Sequence, residues 1–138
     1  MAVTNITAYF KCSAEKVWNT VTSSENYSWR SDLEKIEVID KGKRFIEYAK
    51  GGFATEFTII SFKPYELYEF DMENENMSGR WSGKFYRLEG GTKVDFTESV
   101  SVKKLIMKPF AQYYLRHQQK RYISDLKKVL EKYKDSDD

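Results

Sequence analysis

Alternation of apolar and polar residues predicts seven β-strands, joined mostly by short turns, followed by a helical C-terminal segment. Turns at Asp40–Lys43, Gly51–Gly52 and Gly90–Gly91 place the strands in hairpin order. Hairpin order favours an antiparallel sheet. The predicted strands are Val3 to Phe10, a stretch that starts at Leu33, Arg44 to Ala49, Ala54 to Phe62, Tyr65 to Met72, Met77 to Glu89 and Thr92 to Val102.

Two short helical segments are predicted after the first strand. Ser13 is suited to cap a helix whose apolar face holds Val17, Trp18 and Val21 at spacings of three and four. Ser23 is a second capping residue, followed by a further helical turn or loop that ends at Trp29.

The C-terminal segment, from about Lys103 to Lys134, carries two apolar stripes on nearly opposite sides at about 100° per residue. One helix with a single buried face does not explain both. Either the segment bends before Leu115, with Pro109 a plausible break or first turn, or its N-terminal part packs on a separate surface or covers an opening. The main stripe is Leu115, Tyr122, Ile123, Leu126, Val129, Leu130 and Tyr133, and the second is Ile106, Phe110, Tyr113 and Tyr114.

Composition indicates one domain over residues 1–138 with a substantial core. The 10 Tyr, 9 Phe and 3 Trp suit the wall of a ligand cavity, and they equally suit an ordinary core. The 23 basic and 21 acidic residues nearly balance, which argues against a nucleic-acid partner. Lysines along the C-terminal helix are interrupted by acidic residues such as Asp125 and Glu131, which favours a solvated face.

Location is expected to be cytoplasmic, without membrane insertion. Cys12 is the single cysteine, so no internal disulfide forms, and a reducing compartment fits best. Met1 to Phe10 lacks the basic start and long apolar run of a signal peptide. The longest apolar stretches are far shorter than a membrane span.

No cofactor or metal is expected from the motifs. The paired glycines are turns, and neither a dinucleotide fingerprint nor a Walker motif is present. One Cys and one His do not supply a spaced set of metal ligands.

Several sequence pieces occur in an order similar to one family. They are Ser13-Ala14-Glu15-Lys16-Val17-Trp18, then Trp29 before the second strand, then Ser78-Gly79-Arg80-Trp81 with Gly90-Gly91-Thr92-Lys93-Val94, and Leu126-Lys127-Lys128-Val129-Leu130-Glu131. Together they resemble the START-like superfamily, also called SRPBCC or helix-grip, in its polyketide cyclase/dehydrase-like branch. The resemblance implies an α+β helix-grip fold, in which a seven-stranded curved antiparallel sheet wraps a long C-terminal helix, with two short helices after the first strand.

In such proteins the sheet closes incompletely around the helix, and the gap holds lipids, sterols, polyketides or similar molecules. The first functional hypothesis is therefore a binding or carrier domain for a small hydrophobic molecule. The second is an enzyme, such as a polyketide cyclase or dehydratase, acting in the same cavity. The third is a protein-partner module like the relatives that activate a chaperone ATPase, with Ile106, Met107 and Phe110 as its apolar contact patch.

Glu98 is the most notable candidate for chemistry. It shares the inward face of its strand with Phe96 and Val100, where burial would raise its pKa. It is either a polar anchor or acid–base group in the cavity, or it is turned to solvent by a bulge or paired with an arginine. Arg80 and Arg87 are the possible partners, in a stretch up to Leu88 where a bulge is expected.

His117, the only histidine, is the second catalytic candidate. Trp81 and Phe85 point inward, as cavity wall or plain core, whereas Trp18 and Trp29 are expected to pack at helix-to-sheet junctions. The predicted cavity lining comprises Phe57, Tyr68, Phe70, Trp81, Phe85, Phe96, Glu98, Gln118, Gln119 and Tyr122.

Overall fold

The fold consists of seven strands, two α-helices and one 3₁₀ turn, seen in a computed structural model that describes the backbone of residues 1–137 and the side chains of residues 1–131. The strands are β1 (Ala2–Phe10), β2 (Leu33–Asp40), β3 (Arg44–Ala49), β4 (Ala54–Lys63), β5 (Leu67–Glu73), β6 (Met77–Leu88) and β7 (Gly91–Val102). The helices are α1 (Ala14–Thr22) and α2 (Lys108–Asp137), and the 3₁₀ turn is Leu105–Met107.

All seven strands form one antiparallel sheet in the order β1-β7-β6-β5-β4-β3-β2. Successive strands from β2 to β7 are neighbours, as the hairpin pattern predicts, and β1 joins at the far edge by pairing with β7. The tight turn between β6 and β7 contains Gly90 at φ +80°, a backbone conformation that favours glycine. The predicted α+β class with a curved seven-stranded sheet and a long C-terminal helix is confirmed.

One short helix, rather than two, follows β1. The Ser13 hydroxyl caps α1 by accepting a hydrogen bond from the backbone N–H of Lys16, at 3.2 Å. The Ser23 hydroxyl instead accepts from the backbone N–H of Asn26 at 3.0 Å, in a segment of turns that continues to residue 32. The prediction of a second helix is wrong because this segment satisfies its amides in local turns.

The long helix α2 is continuous from Lys108, so the apolar stripes do not mark a break before Leu115. Pro109 lies in its first turn, where the missing N–H has no intrahelical partner to lose. The main stripe is buried as predicted: Leu115, Ile123, Leu126 and Leu130 are each at most 6% exposed. Tyr133, the last predicted member, lies outside the described side chains.

The second apolar stripe remains at the surface beside an opening. Ile106, Phe110 and Tyr114 are 80%, 67% and 59% exposed, and all three border the space between the helix and the sheet. Of the alternatives predicted for the C-terminal segment, the structure fits the one in which its N-terminal part lies across an opening.

Helix α2 covers one half of the sheet. It packs chiefly on β1, with smaller contacts to β7 and α1. The Gln112 side chain fixes this position by hydrogen bonds to both the N–H and the carbonyl of Val3 on β1. The inner face of β2 to β5 is consequently left facing an open space.

The bulge expected between Arg80 and Leu88 is absent. Strand β6 pairs with β7 without a shift from Met77↔Val102 to Leu88↔Gly91, and its pairing with β5 is equally regular. Tyr86 and Leu88 are simply exposed near the end of the hairpin, at 40% and 46%. The described irregularities lie in β2 and between Ile59 and Ser61 of β4.

Replacing Leu126 with Ala tests the packing of α2 on the sheet. Leu126 is fully buried, so the Leu126→Ala substitution should lower the free energy of unfolding by about 2–5 kcal/mol. The neighbouring exposed Lys127→Ala substitution should change it by less than ~0.5 kcal/mol. Urea denaturation followed by circular dichroism measures both, and equal effects would contradict this packing.

Candidate functional site

A cavity of about 830 Å³ lies between the inner face of the sheet and the N-terminal half of α2. Strands β2 to β7 contribute its wall, and the segment between α1 and β2 contributes its end. Ile106, Met107 and Phe110 border it from the helical side. The cavity is therefore the space that α2 leaves uncovered.

Stacked aromatic rings form the floor of this cavity. Phe45 and Phe57 lie parallel with ring centroids 4.9 Å apart, and Phe70 and Trp81 lie parallel at 5.0 Å. Phe57 meets Phe70 edge-on at 5.0 Å, which joins the two pairs into one continuous surface across β3 to β6. Such pairs add roughly 0.5–1.5 kcal/mol each beyond the area that they bury.

Gly83 makes room for the Trp81 ring. The two residues share the inner face of β6, and a Cβ atom placed on Gly83 would lie 2.5 Å from Cη2 of Trp81. The ring therefore lies flat along the strand over Gly83. An alanine at this position would force the ring to move.

Nine of the ten residues predicted to line the cavity do so. They are Phe57, Tyr68, Phe70, Trp81, Phe96, Glu98, Gln118, Gln119 and Tyr122. Gln119 is buried and donates a hydrogen bond to the Phe96 carbonyl at 3.0 Å, so it also ties α2 to β7.

The other predicted positions lie elsewhere. Phe85 is 4% exposed and packs edge-on against Trp18 at 5.0 Å, so it belongs to the core and not to the cavity wall. His117 is exposed, stacks beside Tyr113 and lies outside the cavity lining. Trp18 is a packing residue, as expected. Trp29 also lines the cavity, where its ring centroid lies 5.4 Å from that of Tyr122.

Glu98 points into the cavity, as the alternation along β7 predicts. It lies directly opposite Trp81 across the β6–β7 ladder, with no bulge to turn it outward. Burial raises its pKa to about 7, with a further rise from the nearby Glu47 and a smaller opposing effect of Arg30. Glu98 is therefore poised to exchange a proton near neutral pH.

Neither predicted arginine partner reaches Glu98. Arg80 lies on the outer face, where its Nε donates to Oδ1 of Asp71 at 2.7 Å. Arg87 lies at the end of the hairpin, where it pairs with Glu15 at 2.6 Å. Among the described residues, none donates a hydrogen bond to the Glu98 carboxyl group.

A buried ionic cluster beside the cavity was missed from the sequence. Arg30 donates to Oε2 of Glu47 at 2.9 Å and to Oδ2 of Asp32 at 2.9 Å. The Arg30 and Glu47 side chains are only 15% and 13% exposed, and the guanidinium lies 5.1 Å from the centre of the Tyr122 ring. Burial alone would lower the pKa of Arg30, but the two carboxylates outweigh burial and raise it.

Helix α2 holds this cluster in place through Ser31. Asp125 Oδ2 accepts hydrogen bonds from both the N–H and the hydroxyl of Ser31, each at 2.8 Å. Arg121 donates to the Ser31 hydroxyl at 2.7 Å and to its carbonyl at 2.9 Å. Asp125 is thus a buried anchor for the neighbouring Arg30, and not part of a solvated face.

One signal in the sequence could have revealed Glu47. It shares the inward face of β3 with Phe45, by the same alternation that identified Glu98 on β7. Arg30 and Asp32 lie in an irregular segment, where no periodicity predicts the direction of a side chain.

Comparison with known proteins agrees with this architecture. The profile of the family described as polyketide cyclase / dehydrase and lipid transport matches residues 1–131. The chain belongs to this family. No curated protein matches it.

Solved structures similar to this family member include a START superfamily protein from Mycobacterium smegmatis, with a TM-score of 0.87 and 12% identity over 96% of this chain and 99% of that one. A conserved protein from Geobacillus kaustophilus has a TM-score of 0.81 and 13% identity, over 94% of this chain and 95% of that one. DynU16, a protein in the dynemicin biosynthetic locus, has a TM-score of 0.78 and 10% identity over 95% of this chain and 48% of its own. At these identities the likeness establishes the START-like fold.

No helix within the described part of this polyketide cyclase/dehydrase family member has the length and apolar content needed to cross a membrane. Its described Asp, Glu, His and Cys residues also form no group of three that could hold a metal ion.

The raised pKa of Glu98 should make stability depend on pH. Because the folded-state pKa exceeds the ordinary value, the folded chain binds the proton more tightly, and this stabilisation is lost as pH rises from about 4.5 to 7. Relative to wild type, Glu98→Gln should therefore gain on the order of 2 kcal/mol in unfolding free energy between pH 5 and pH 8. Urea denaturation at both pH values measures this. Glu37→Gln, at an exposed carboxyl on β2, is the matched control, and a gain no larger than in this control would contradict the assignment.

Removing the buried guanidinium should destabilise the chain strongly. Arg30→Met leaves Glu47 and Asp32 without their partner, and should cost about 3–5 kcal/mol of unfolding free energy. Arg80→Met breaks an exposed pair with Asp71 and should cost less than about 1 kcal/mol. Similar losses in the two variants, measured by urea denaturation at pH 7, would show that the Arg30 cluster has no structural role.

Proposed function

We propose that the protein binds a small, mostly hydrophobic molecule between the inner face of β2 to β5 and the N-terminal half of α2. The observation that supports this most is the joined aromatic side chains of Phe57, Phe70 and Trp81, which line a cavity of about 830 Å³. A hydrophobic ligand that moves from water against such an apolar wall gains free energy.

The dimensions of the cavity support the proposal. A volume of about 830 Å³ lies within the range of roughly 300–1,000 Å³ that is typical of small-molecule sites. Such sites combine apolar walls with a few polar groups that orient the ligand, a role for which Glu98 and Tyr122 are placed.

The exposed apolar residues at the mouth suggest how a ligand enters. Ile106 and Phe110 lie at the opening, on a 3₁₀ turn and the first turn of α2. A displacement of this short segment would widen the mouth without disturbing the buried stripe from Leu115 onward. The family description, which includes lipid transport, fits a carrier.

The cytoplasm remains the expected location.

Glu98 favours one second candidate function, an enzyme that moves a proton on the bound molecule. A general acid or base works best with a pKa near the working pH, and the Glu98 pKa of about 7 meets this condition. The polyketide cyclase and dehydrase members of the family fit such chemistry. A reaction that Glu98→Gln abolishes while ligand binding persists would favour the enzyme over the carrier.

Filling the cavity should abolish binding of a neutral hydrophobic probe. N-phenyl-1-naphthylamine should bind saturably with increased fluorescence, because its rings fit against the aromatic wall. Ala111→Trp places an indole from α2 into the cavity and should weaken binding by about tenfold or more.

Ala54→Trp is the matched control, since it adds the same side chain at an exposed position on β4. It should bind the probe as wild type does. Absence of saturable binding by wild type, or equal binding by the two variants, would contradict the proposed site.

A further inference from the structure

We propose that the cavity binds a hydrophobic molecule that carries a cationic amine, and that Glu98 pairs with this amine. The inference rests on the proposed function, because it names the class of molecule that the same cavity takes. Four observations support it: the charges committed inside the cavity, polar groups without partners, the aromatic side chains beside Glu98, and the acidity of Glu98.

Among residues 1–131, the cavity has no buried cation that is free to pair with an acidic ligand. Arg30 is held by Asp32 and Glu47, so this cluster has one positive and two negative formal charges, a net charge of −1. Four more cations border the cavity, and all four are exposed to solvent: Lys41, Lys43, Arg44 and Arg121. Arg44 pairs with Glu56, and Arg121 is bonded to Ser31. Within the described residues, the charge of the interior therefore disfavours a carboxylate or phosphate and favours a cation.

Several polar groups at the cavity have no hydrogen-bond partner among residues 1–131. They include the carboxyl group of Glu98, the hydroxyl of Tyr122, and the hydroxyl of Tyr68, a residue that is only 5% exposed. Thr4 Oγ1 is the one described side-chain atom that is both fully enclosed and unpaired, so the Tyr68 hydroxyl borders accessible space. An ammonium group has three donors and no acceptor, which suits a carboxylate and a phenol oxygen.

Aromatic side chains neighbour Glu98 at the cavity. Trp81 is its cross-strand neighbour, and Phe96 lies two residues away on the same face of β7. Tyr122 approaches from α2, with its ring centroid 6.0 Å from that of Phe96. Cations are attracted to the faces of such rings within about 6 Å, whereas an anion is repelled.

The cation is organic and not a metal ion. Asp32, Glu47 and Glu98 all border the cavity, yet the described residues contain no three carboxylate, imidazole or thiolate groups placed to hold a metal. A single carboxylate beside aromatic rings is a poor metal site and a suitable partner for an amine.

Binding of the amine should depend on the ionisation of Glu98. The charged groups that act on Glu98 are Glu47 from β3 and Arg30 from the segment before β2. The other nearby titratable groups that line the cavity are Asp32, Tyr68 from β5 and Tyr122 from α2. Burial and Glu47 raise the Glu98 pKa to about 7, while Arg30 lowers it. An aliphatic amine keeps its proton up to about pH 10. The affinity should therefore rise with pH as Glu98 ionises, and level off above about pH 8.

The experiment compares decylamine, decanol and decanoate, which share one chain and differ in the head group. Isothermal titration calorimetry with the full chain at pH 8 should give at least about tenfold tighter binding of decylamine than of decanol, and the weakest binding for decanoate. At pH 6, where most Glu98 is protonated, decylamine should bind about tenfold more weakly. Glu98→Gln should remove both the preference for the amine and its pH dependence, while Glu37→Gln keeps both.

The outcomes separate the two proposals. If none of the three compounds binds, the proposed hydrophobic site itself fails. If decanol or decanoate binds as tightly as decylamine, or if decylamine binds equally at pH 6 and pH 8, the amine inference is overturned while the cavity stands. The pH comparison on the wild-type chain distinguishes these outcomes even if Glu98→Gln does not fold.

Discussion

The placement of α2 over only one half of the sheet is the constraint on which the rest of the structure depends. The helix is attached to β1 by its buried stripe around Leu126 and by the side chain of Gln112. Because seven curved strands extend beyond the width of one helix, most of the inner face of β2 to β5 is not covered by α2. The same face carries large aromatic side chains, so the uncovered half becomes a cavity with an apolar wall.

Such a cavity requires internal support, and polar groups provide part of it. Asp125 and Arg121 of α2 hold Ser31, which positions the neighbouring Arg30 between Asp32 and Glu47. A buried pair of this kind is costly to desolvate, and so it contributes more to a fixed geometry than to stability. Glu98, on β7, receives no such partner among the described residues. Its carboxyl group is the feature that gives the apolar cavity a chemical preference.

The periodicity of apolar residues in the sequence predicted the features that regular strands and helices determine. The alternation on β7 placed Glu98 inward, and the spacing along α2 identified the buried stripe from Leu115 to Leu130. Irregular segments were not predictable in the same way: Arg30 owes its position to Ser31 and α2, contacts far apart in sequence. Phe85 was assigned to the cavity because alternation gives only the face of the sheet. Whether a residue on that face meets a void or the Trp18 ring depends on contacts between residues that are far apart in the sequence.

Helix α2 and the uncovered strands leave a stable void between them. A crystal structure of the protein under xenon pressure tests for this void directly, since xenon enters apolar cavities and scatters strongly. We predict xenon atoms bound against Phe45, Phe70 and Trp81, with the backbone of α2 unchanged. A structure in which Phe110 and Tyr114 pack onto those rings, with no void and no bound xenon, would contradict the account.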